Sequence, residues 1–442
     1  MPISDSSKKT NNGLFDSTPS PSPLRGEGWP KTGEGLYGDK NKIGNNMRKV
    51  KVYPFLTLVL AVVFAACQSP KIVDEKTGRA AGAQAEGITG YYYDDMARYL
   101  AGFDLPGDSN LLPYTQGPEY AEHRLKMARF WERVRAQSIE PITEWRESTL
   151  NRNPYGPVCH RDRPAIYPLC GADIINLYTI CPQANEYIMI ALEKAGDIPH
   201  PEKQTPSYYQ GLRKMRSVIN NIADRNYFFS AHMKTNIIKN EEIPGIAPVL
   251  LAFTAGLGWH IVNMEKIYLA PDGRPVALED KNLDFKPRGV RIWFRTADDP
   301  RLRSLTYIEQ YLDSASVAPE HPLTKFLNEK KGGLMMLKAA VYLMHNNYYR
   351  AVRERFMAIP DVIVQDDSGF RYVDLKPHFE VSIYGEFVGP AIRMSVIPKN
   401  PVQPELAALY AERKPPKLPF HFGYGVLRKP PRSNLMVAHR KN

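Results

Sequence analysis

Familiar catalytic signatures are missing from this chain. There is no GxSxG elbow, no HExxH pair, no phosphate-binding P-loop and no EF-hand loop, and Ser395 to Lys399 has the wrong spacing for an SxxK motif. No motif therefore fixes an activity. Cysteine is scarce, with four in 442 residues. Three of them, Cys159, Cys170 and Cys181, are spaced eleven and eleven apart, which lacks the paired CxxC geometry of zinc sites. Acid is absent from one end: residues 413–442 hold Arg413, Lys414, Lys417, Arg428, Lys429, Arg432, Arg440 and Lys441 and no Asp or Glu.

What is present is a chain that is 43% hydrophobic, enough for one large or two ordinary domains with proper cores. Its 38 prolines imply many loops and few long uninterrupted helices. Arg48, Lys49 and Lys51 precede a charge-free stretch from Val52 to Ala66, which matches a basic n-region and an apolar h-region. At fifteen residues the stretch is short for a span, which needs about 20. It ends Phe64-Ala65-Ala66-Cys67, which resembles the lipobox of bacterial lipoproteins, where the cysteine is acylated and becomes the new N-terminus. The resemblance implies export and lipidation of Cys67 (palmitate-type acyl chains included), and Gln68 in place of Asp implies the outer membrane. The alternative is a core helix that happens to end in cysteine.

Residues 1–46 are rich in Ser, Pro, Gly, Asn and Lys and show no apolar periodicity, so they cannot offset the entropy of folding. The stretch "SPSPLRGEGWPKTGEG" is similar to a translated intergenic repeat, and translation is expected to start at Met47; the alternative is a genuine disordered extension. Residues 68–90 are polar and small, a tether between membrane and body. The chain carries a net charge of +11, but nine Lys/Arg against five Asp/Glu lie in residues 1–67 and eight basic residues lie in the last thirty. The body between is close to neutral, so the basic end is the candidate for an anionic surface. In the envelope that surface is lipid or glycan rather than nucleic acid; the alternative is a solvated end with no partner.

The body divides by pattern. "PEYAEHRLKMARFWERVRAQ" reads as a helix with Pro118 in its first turn and Met127, Phe130, Trp131 and Val134 on one face, kinked or ended by Pro141. "TPSYYQGLRKMRSVINNIADR" reads as a second, with Thr205 as N-cap and Tyr208, Leu212, Met215, Ile219 and Ile222 facing a core. From about residue 259 the pattern turns to strands: a hairpin around Pro271-Asp272-Gly273, an alternating "GVRIWFRT" with "SLTYIEQYL" as its partner, a second hairpin around Asp367-Ser368-Gly369, and "FEVSIYGEFV". "GGLMMLKAAVYLMHNNYYRAVRERFM" reads as helical between them. The expected fold is α+β, an N-terminal helical portion followed by an antiparallel, hairpin-rich portion with interleaved helices. One globular domain is expected over residues 91–425, with a division into two lobes near 258 as an option, and residues 426–442 form the basic C-terminal end.

Four segments, "YPLCGADIINLYTICPQANEYIMIALE", "LKAAVYLMHNNYYRAVRERF", "QDDSGFRYVDL" and "LPFHFGYG", together resemble a family of uncharacterised bacterial secreted proteins and lipoproteins. The family pattern has Ser at the position of Cys170 and Pro at that of Ala172. The resemblance implies an intact envelope domain over most of residues 160–425 and transfers no catalytic residue. It also implies that "LPFHFGYG" belongs to the fold, against a wholly disordered basic tail.

Candidate chemistry is thin. In an oxidising compartment one pair among Cys159, Cys170 and Cys181 can form a disulfide and leave an odd thiol; unpaired buried thiols are the alternative, and a metal or Cys/His role with His160 and Asp162 is a third. Asp173 and Glu193 lie in an unusually apolar run, where desolvation raises a carboxyl pKa towards the range a general acid needs. Against that, Asp173 can satisfy backbone donors and Glu193 can pair with an arginine, while Asp366 and Asp367 fit ordinary turn chemistry. Tyrosine doublets such as Tyr208-Tyr209 and Tyr348-Tyr349 can present flat faces to a sugar or simply join the core. The expectation is a lipid-anchored envelope protein that binds or scaffolds at membrane or cell wall, without cofactor or metal. A carboxylate-dependent hydrolase of an envelope glycan or peptide and an accessory subunit of an outer-membrane complex are the alternatives.

Overall fold

The computed structural model describes residues 92–228, 242–278, 287–390 and 403–441. The signal-like stretch, Cys67, residues 1–46 and the tether at 68–90 lie outside the described residues. The body opens with helices α1 (Tyr92–Ala101), α2 (Pro118–Val134) and α3 (Glu140–Ser148). Between α2 and α3 the helix widens into a single turn at Arg135–Ile139, in which the amide of Glu140 donates to the carbonyl of Arg135. Pro141 then falls in the first turn of α3. The wide turn carries the chain past a residue that has no N–H and would otherwise clash with the preceding turn.

Strand β1 (Pro164–Pro168) leads through α4 (Ile174–Ile180) to β2 (Glu186–Ala191). After α5 (Pro206–Arg225) and α6 (Ala247–Gly256) come β3 (Trp259–Leu269), β4 (Pro275–Ala277), β5 (Arg288–Thr296) and β6 (Asp299–Glu309). The later elements are α7 (Pro322–Asn328), β7 (Leu334–Leu337), α8 (Arg350–Met357), β8 (Val362–Gln365), α9 (Tyr372–Leu375), β9 (Phe379–Gly385), α10 (Pro404–Arg413) and β10 (Asn434–Arg440). The α5 start is as read from sequence: the Thr205 hydroxyl accepts from the Tyr208 amide at 3.1 Å, a cap worth about 1 kcal/mol.

The expected α+β class holds, with helices first and strands with interleaved helices after them, but the sheet is mixed rather than antiparallel and its first two strands fall before residue 259. Among the described residues ten strands join one mixed sheet in the order β4-β3-β5-β6-β2-β1-β7-β8-β10-β9. Its middle is parallel: β6, β2, β1, β7 and β8 run the same way. Its edges are antiparallel, with β3, β4 and β5 on one side and β10 inserted against β8 and β9 on the other. Side chains alternate between two cores. Ala165, Tyr167, Met189, Leu334 and Met336 join α1 to α6 on one face, while Ile166, Ile188, Ile190, Met335 and Leu337 join α7, α8 and α10 on the other.

Three readings of the sequence need correction. The 332–357 stretch is not one helix: Leu334–Leu337 is a strand buried on both faces, and the chain behind it takes left-handed φ at Ala339, Val341 and Tyr342 before α8 begins. Residues 361–375 are not a hairpin, because β8 pairs in parallel with β7 and the chain then enters α9. The globular body also runs past residue 425, into the basic C-terminal end. Asn434–Arg440 is β10, and its burial between two strands is what the apolar "NLMVA" dictates.

Candidate functional site at the carboxyl end of the parallel strands

In chain order the parallel strands β1, β2, β6, β7 and β8 stand as 3-2-1-4-5, the order of a doubly wound sheet. The chain leaves β1 through α4 to reach β2 on one side, while β7 lies on the other. Such a reversal opens a crevice beyond the carboxyl ends of the two strands, where α/β sheets take their ligands. The loops that meet there are the Leu169–Asp173 turn, the Lys338–Tyr342 turn behind β7 and the Asp366–Ser368 turn behind β8.

Asp173 is the N-cap of α4 and sits 1% exposed. Its Oδ1 accepts from the Asn176 amide at 3.2 Å and from Asn176 Nδ2 at 2.7 Å. Its Oδ2 accepts from the Tyr167 hydroxyl at 3.3 Å and pairs with Lys338 Nζ at 2.6 Å. The Lys338 side chain is wholly buried, donates also to the carbonyl of Asn226, and lies 5.6 Å from the centroid of the Phe422 ring. Burial pushes its pKa below the usual lysine range while Asp173 and Asp366 work the other way. Asn226 takes a left-handed conformation at the end of α5 and brings its Oδ1 within 2.7 Å of Asn176 Nδ2.

The β8 turn completes the centre. Asp366 accepts from the Ala339 amide at 3.2 Å and from the amide and hydroxyl of Ser368 at 3.1 and 2.5 Å. Asp367 accepts from the Tyr342 hydroxyl at 3.4 Å, and its own amide donates to Asn434 Oδ1 at 2.8 Å. Burial raises the pKa of both carboxyls, and Asp367 adds to the rise at Asp366. The segment Phe420–Tyr424 closes the top. Gly423 is at φ +74°, and a Cβ there would stand 2.0 Å from Asp366 Oδ2; the Tyr424 hydroxyl donates to the Ala339 carbonyl at 2.6 Å. Four non-glycine residues in these turns, Leu169, Ala339, Val341 and Tyr342, hold positive φ. Strain of this kind persists only where the surroundings over-determine it.

Of the two carboxylates singled out from sequence, Asp173 is at this centre. Glu193 lies just past the end of β2, 3% exposed, with an Oε2 that accepts no hydrogen bond and a pKa raised to about 7 by burial. Asp173 pairs with Lys338 rather than with Glu193, and the two carboxylates flank Cys170 instead. Cys170 is a free, buried thiol whose pKa is pushed well up by burial and by both carboxylates, the opposite of an activated nucleophile. Cys159 and Cys181 are bridged, with Cα atoms 5.1 Å apart. Among the described residues no group of three His, Cys, Asp or Glu side chains is arranged to hold a metal ion. Lys338, Tyr167, Asn176 and Asn226 were not legible as site residues. The one available signal was a lysine ending the apolar run "LMML".

The basic residues of the last thirty divide between those tied to the body and those left exposed. Arg428 donates to the carbonyls of Val388 and Pro390, and Arg440 to those of Met357 and Pro360. Lys441 donates to the Lys376 carbonyl, and Lys417 stands 3.6 Å from Glu386. Arg413, Lys414, Lys429 and Arg432 are exposed. Four segments distant in sequence meet at the buried centre through Asp173, Lys338, Asp366 and Gly423. No protein-family model, no curated protein and no solved structure matches this chain.

Proposed function

We propose that the chain is an exported envelope lipoprotein, anchored through Cys67, whose body binds or scaffolds at the membrane or cell wall rather than catalysing a reaction. The observation that carries this reading is the Lys338–Asp173 pair, which fills the place where a doubly wound sheet takes its ligand with side chains that are 0% and 1% exposed. A reacting group has to touch substrate, and the partners of these two are one another and the buried Tyr167, Asn176 and Asn226. Support for the location comes from the lipobox-like sequence before Cys67.

A carboxylate hydrolase is the second reading, and the raised pKa values of Glu193 and Asp366 favour it, because protonated carboxyls near neutral pH are general acids in waiting. One experiment separates the two. The full chain and its Asp366→Asn and Glu193→Gln variants are mixed with purified sacculi, and bound protein and released soluble fragments are followed together. Binding without release, equal in all three, is expected; release that either variant abolishes would establish the hydrolase instead. Cys67→Ser is expected to move the protein from the membrane fraction to the soluble one.

A further inference from the structure

Away from the buried centre, α2 and α5 pack side by side and leave between them a groove of about 490 Å³. Lys126, Arg129, Glu132 and Arg133 line it from α2, and Arg216 and Asn220 from α5. The spacing is helical: residues 126, 129 and 133 share one face of α2, and 216 and 220 share one face of α5. Arg133 is committed, to Asp224 and Asn220, each at 2.6 Å. Arg216 is not committed to any acid. It is 8% exposed, and its Nη1 donates to His123 Nδ1 at 2.9 Å.

His123 does not neutralise that charge. Its Nε2 faces the Leu100 carbonyl at 3.0 Å, so Nε2 carries the hydrogen and Nδ1 is the bare acceptor. Burial and the guanidinium hold its pKa down, at about 3. Among the described residues no carboxylate lies within ion-pair distance of Lys126, Arg129 or Arg216; Glu122 acts on Arg216 only from further away, and Glu132 is the groove's own acid. A nearly buried guanidinium with a neutral partner is costly unless an anion shares the site. Arg216 and two exposed cations, Lys126 and Arg129, line one open space of small-molecule size.

We propose that this groove binds a phosphate group, with Arg216 as the fixed donor and Lys126 and Arg129 closing on it from α2. The planar guanidinium offers parallel donors to two phosphate oxygens, and the lysine adds a point charge. A free phosphomonoester and the headgroup of an anionic phospholipid share this chemistry. The site owes nothing to the function proposed above, and either can fail without the other.

The full chain carrying Cys67→Ser, and so no acyl anchor, is titrated calorimetrically with glycerol 3-phosphate, and is sedimented with phosphatidylglycerol and with phosphatidylcholine vesicles, at physiological salt. Saturable binding of glycerol 3-phosphate assigns a soluble ligand, and sedimentation with phosphatidylglycerol alone assigns the headgroup. In either case Lys126→Ala/Arg129→Ala, which removes two exposed side chains and leaves the helix packing intact, is expected to weaken binding on the order of tenfold. Arg216→Lys is expected to weaken it as well, and Lys429→Ala/Arg432→Ala at the basic end to leave it unchanged. The proposal is overturned if neither ligand binds, if the α2 double variant binds like the parent, or if the change at the basic end is the one that abolishes binding.

Discussion

Replacing Lys338 by Met removes one member of a buried pair and leaves the Asp173 carboxylate, 1% exposed, with three hydrogen bonds but no countercharge. Breaking a buried pair from one side costs about 3–5 kcal/mol. For a body of this size the unfolding entropy is on the order of 0.7 kcal/mol per kelvin, so the melting temperature should fall by about 4–7 °C. Asp173→Asn leaves the opposite orphan, the buried ammonium, but keeps a good N-cap on α4, so its cost should be smaller. The double variant Asp173→Asn/Lys338→Met removes both charges and is expected to recover at least 2 kcal/mol relative to the sum of the singles. Chemical denaturation of all four proteins, with sacculus binding measured on each, closes the cycle. Strictly additive single effects, or singles within about 1 kcal/mol of the parent, would refute the view that the pair holds this end of the sheet together.

Two further outcomes follow from the same structure. Glu193 has a folded pKa of about 7 against an ordinary carboxyl value near 4.5, so its extra stability is fully present below pH 4.5 and is lost as pH rises through 7. Glu193→Gln should therefore match the parent at pH 4 and exceed it by about 3 kcal/mol at pH 8, read by denaturant unfolding at both; no gain at pH 8 would show that the carboxyl is solvated. The Cys159–Cys181 bridge closes a loop of 22 residues, and its reduction should cost about 3 kcal/mol, while Cys170 stays unreactive towards a thiol reagent until the body unfolds. Fast labelling of Cys170 in the native, oxidised protein would contradict its burial.

Local signals were sufficient for much of this molecule. Helices α2 and α5, the N-cap at Thr205, the β3–β4 hairpin and the β5 strand follow from periodicity of 3.6 or 2 and from turn chemistry, and β6 from a run of strand-forming residues placed after β5. Alternation did not reveal β1, β7 or the true pairing of β8. Pro164–Pro168, Leu334–Leu337 and Val362–Gln365 are buried on both faces, so they show no alternation, and a short apolar run reads as helix or strand alike. With β1 and β7 unread and β8 taken as one arm of a hairpin, the turns that follow them were misplaced. Asp366-Asp367-Ser368 looked like the tip of a hairpin because Asp, Ser and Gly are what exposed turns are made of.

The sequence by itself determined the class of fold, the capped amphipathic helices, the edge hairpins and the apolar setting of Asp173 and Glu193. These are properties of neighbours along the chain. Only the tertiary structure decided that Asp173 pairs with a lysine 165 residues away, that Asp366 lies under Gly423, and that the basic end is a strand inside the sheet. A charge's meaning depends on what is packed around it, and in a doubly wound sheet the crossovers set that packing, bringing to one crevice turns that no local pattern relates.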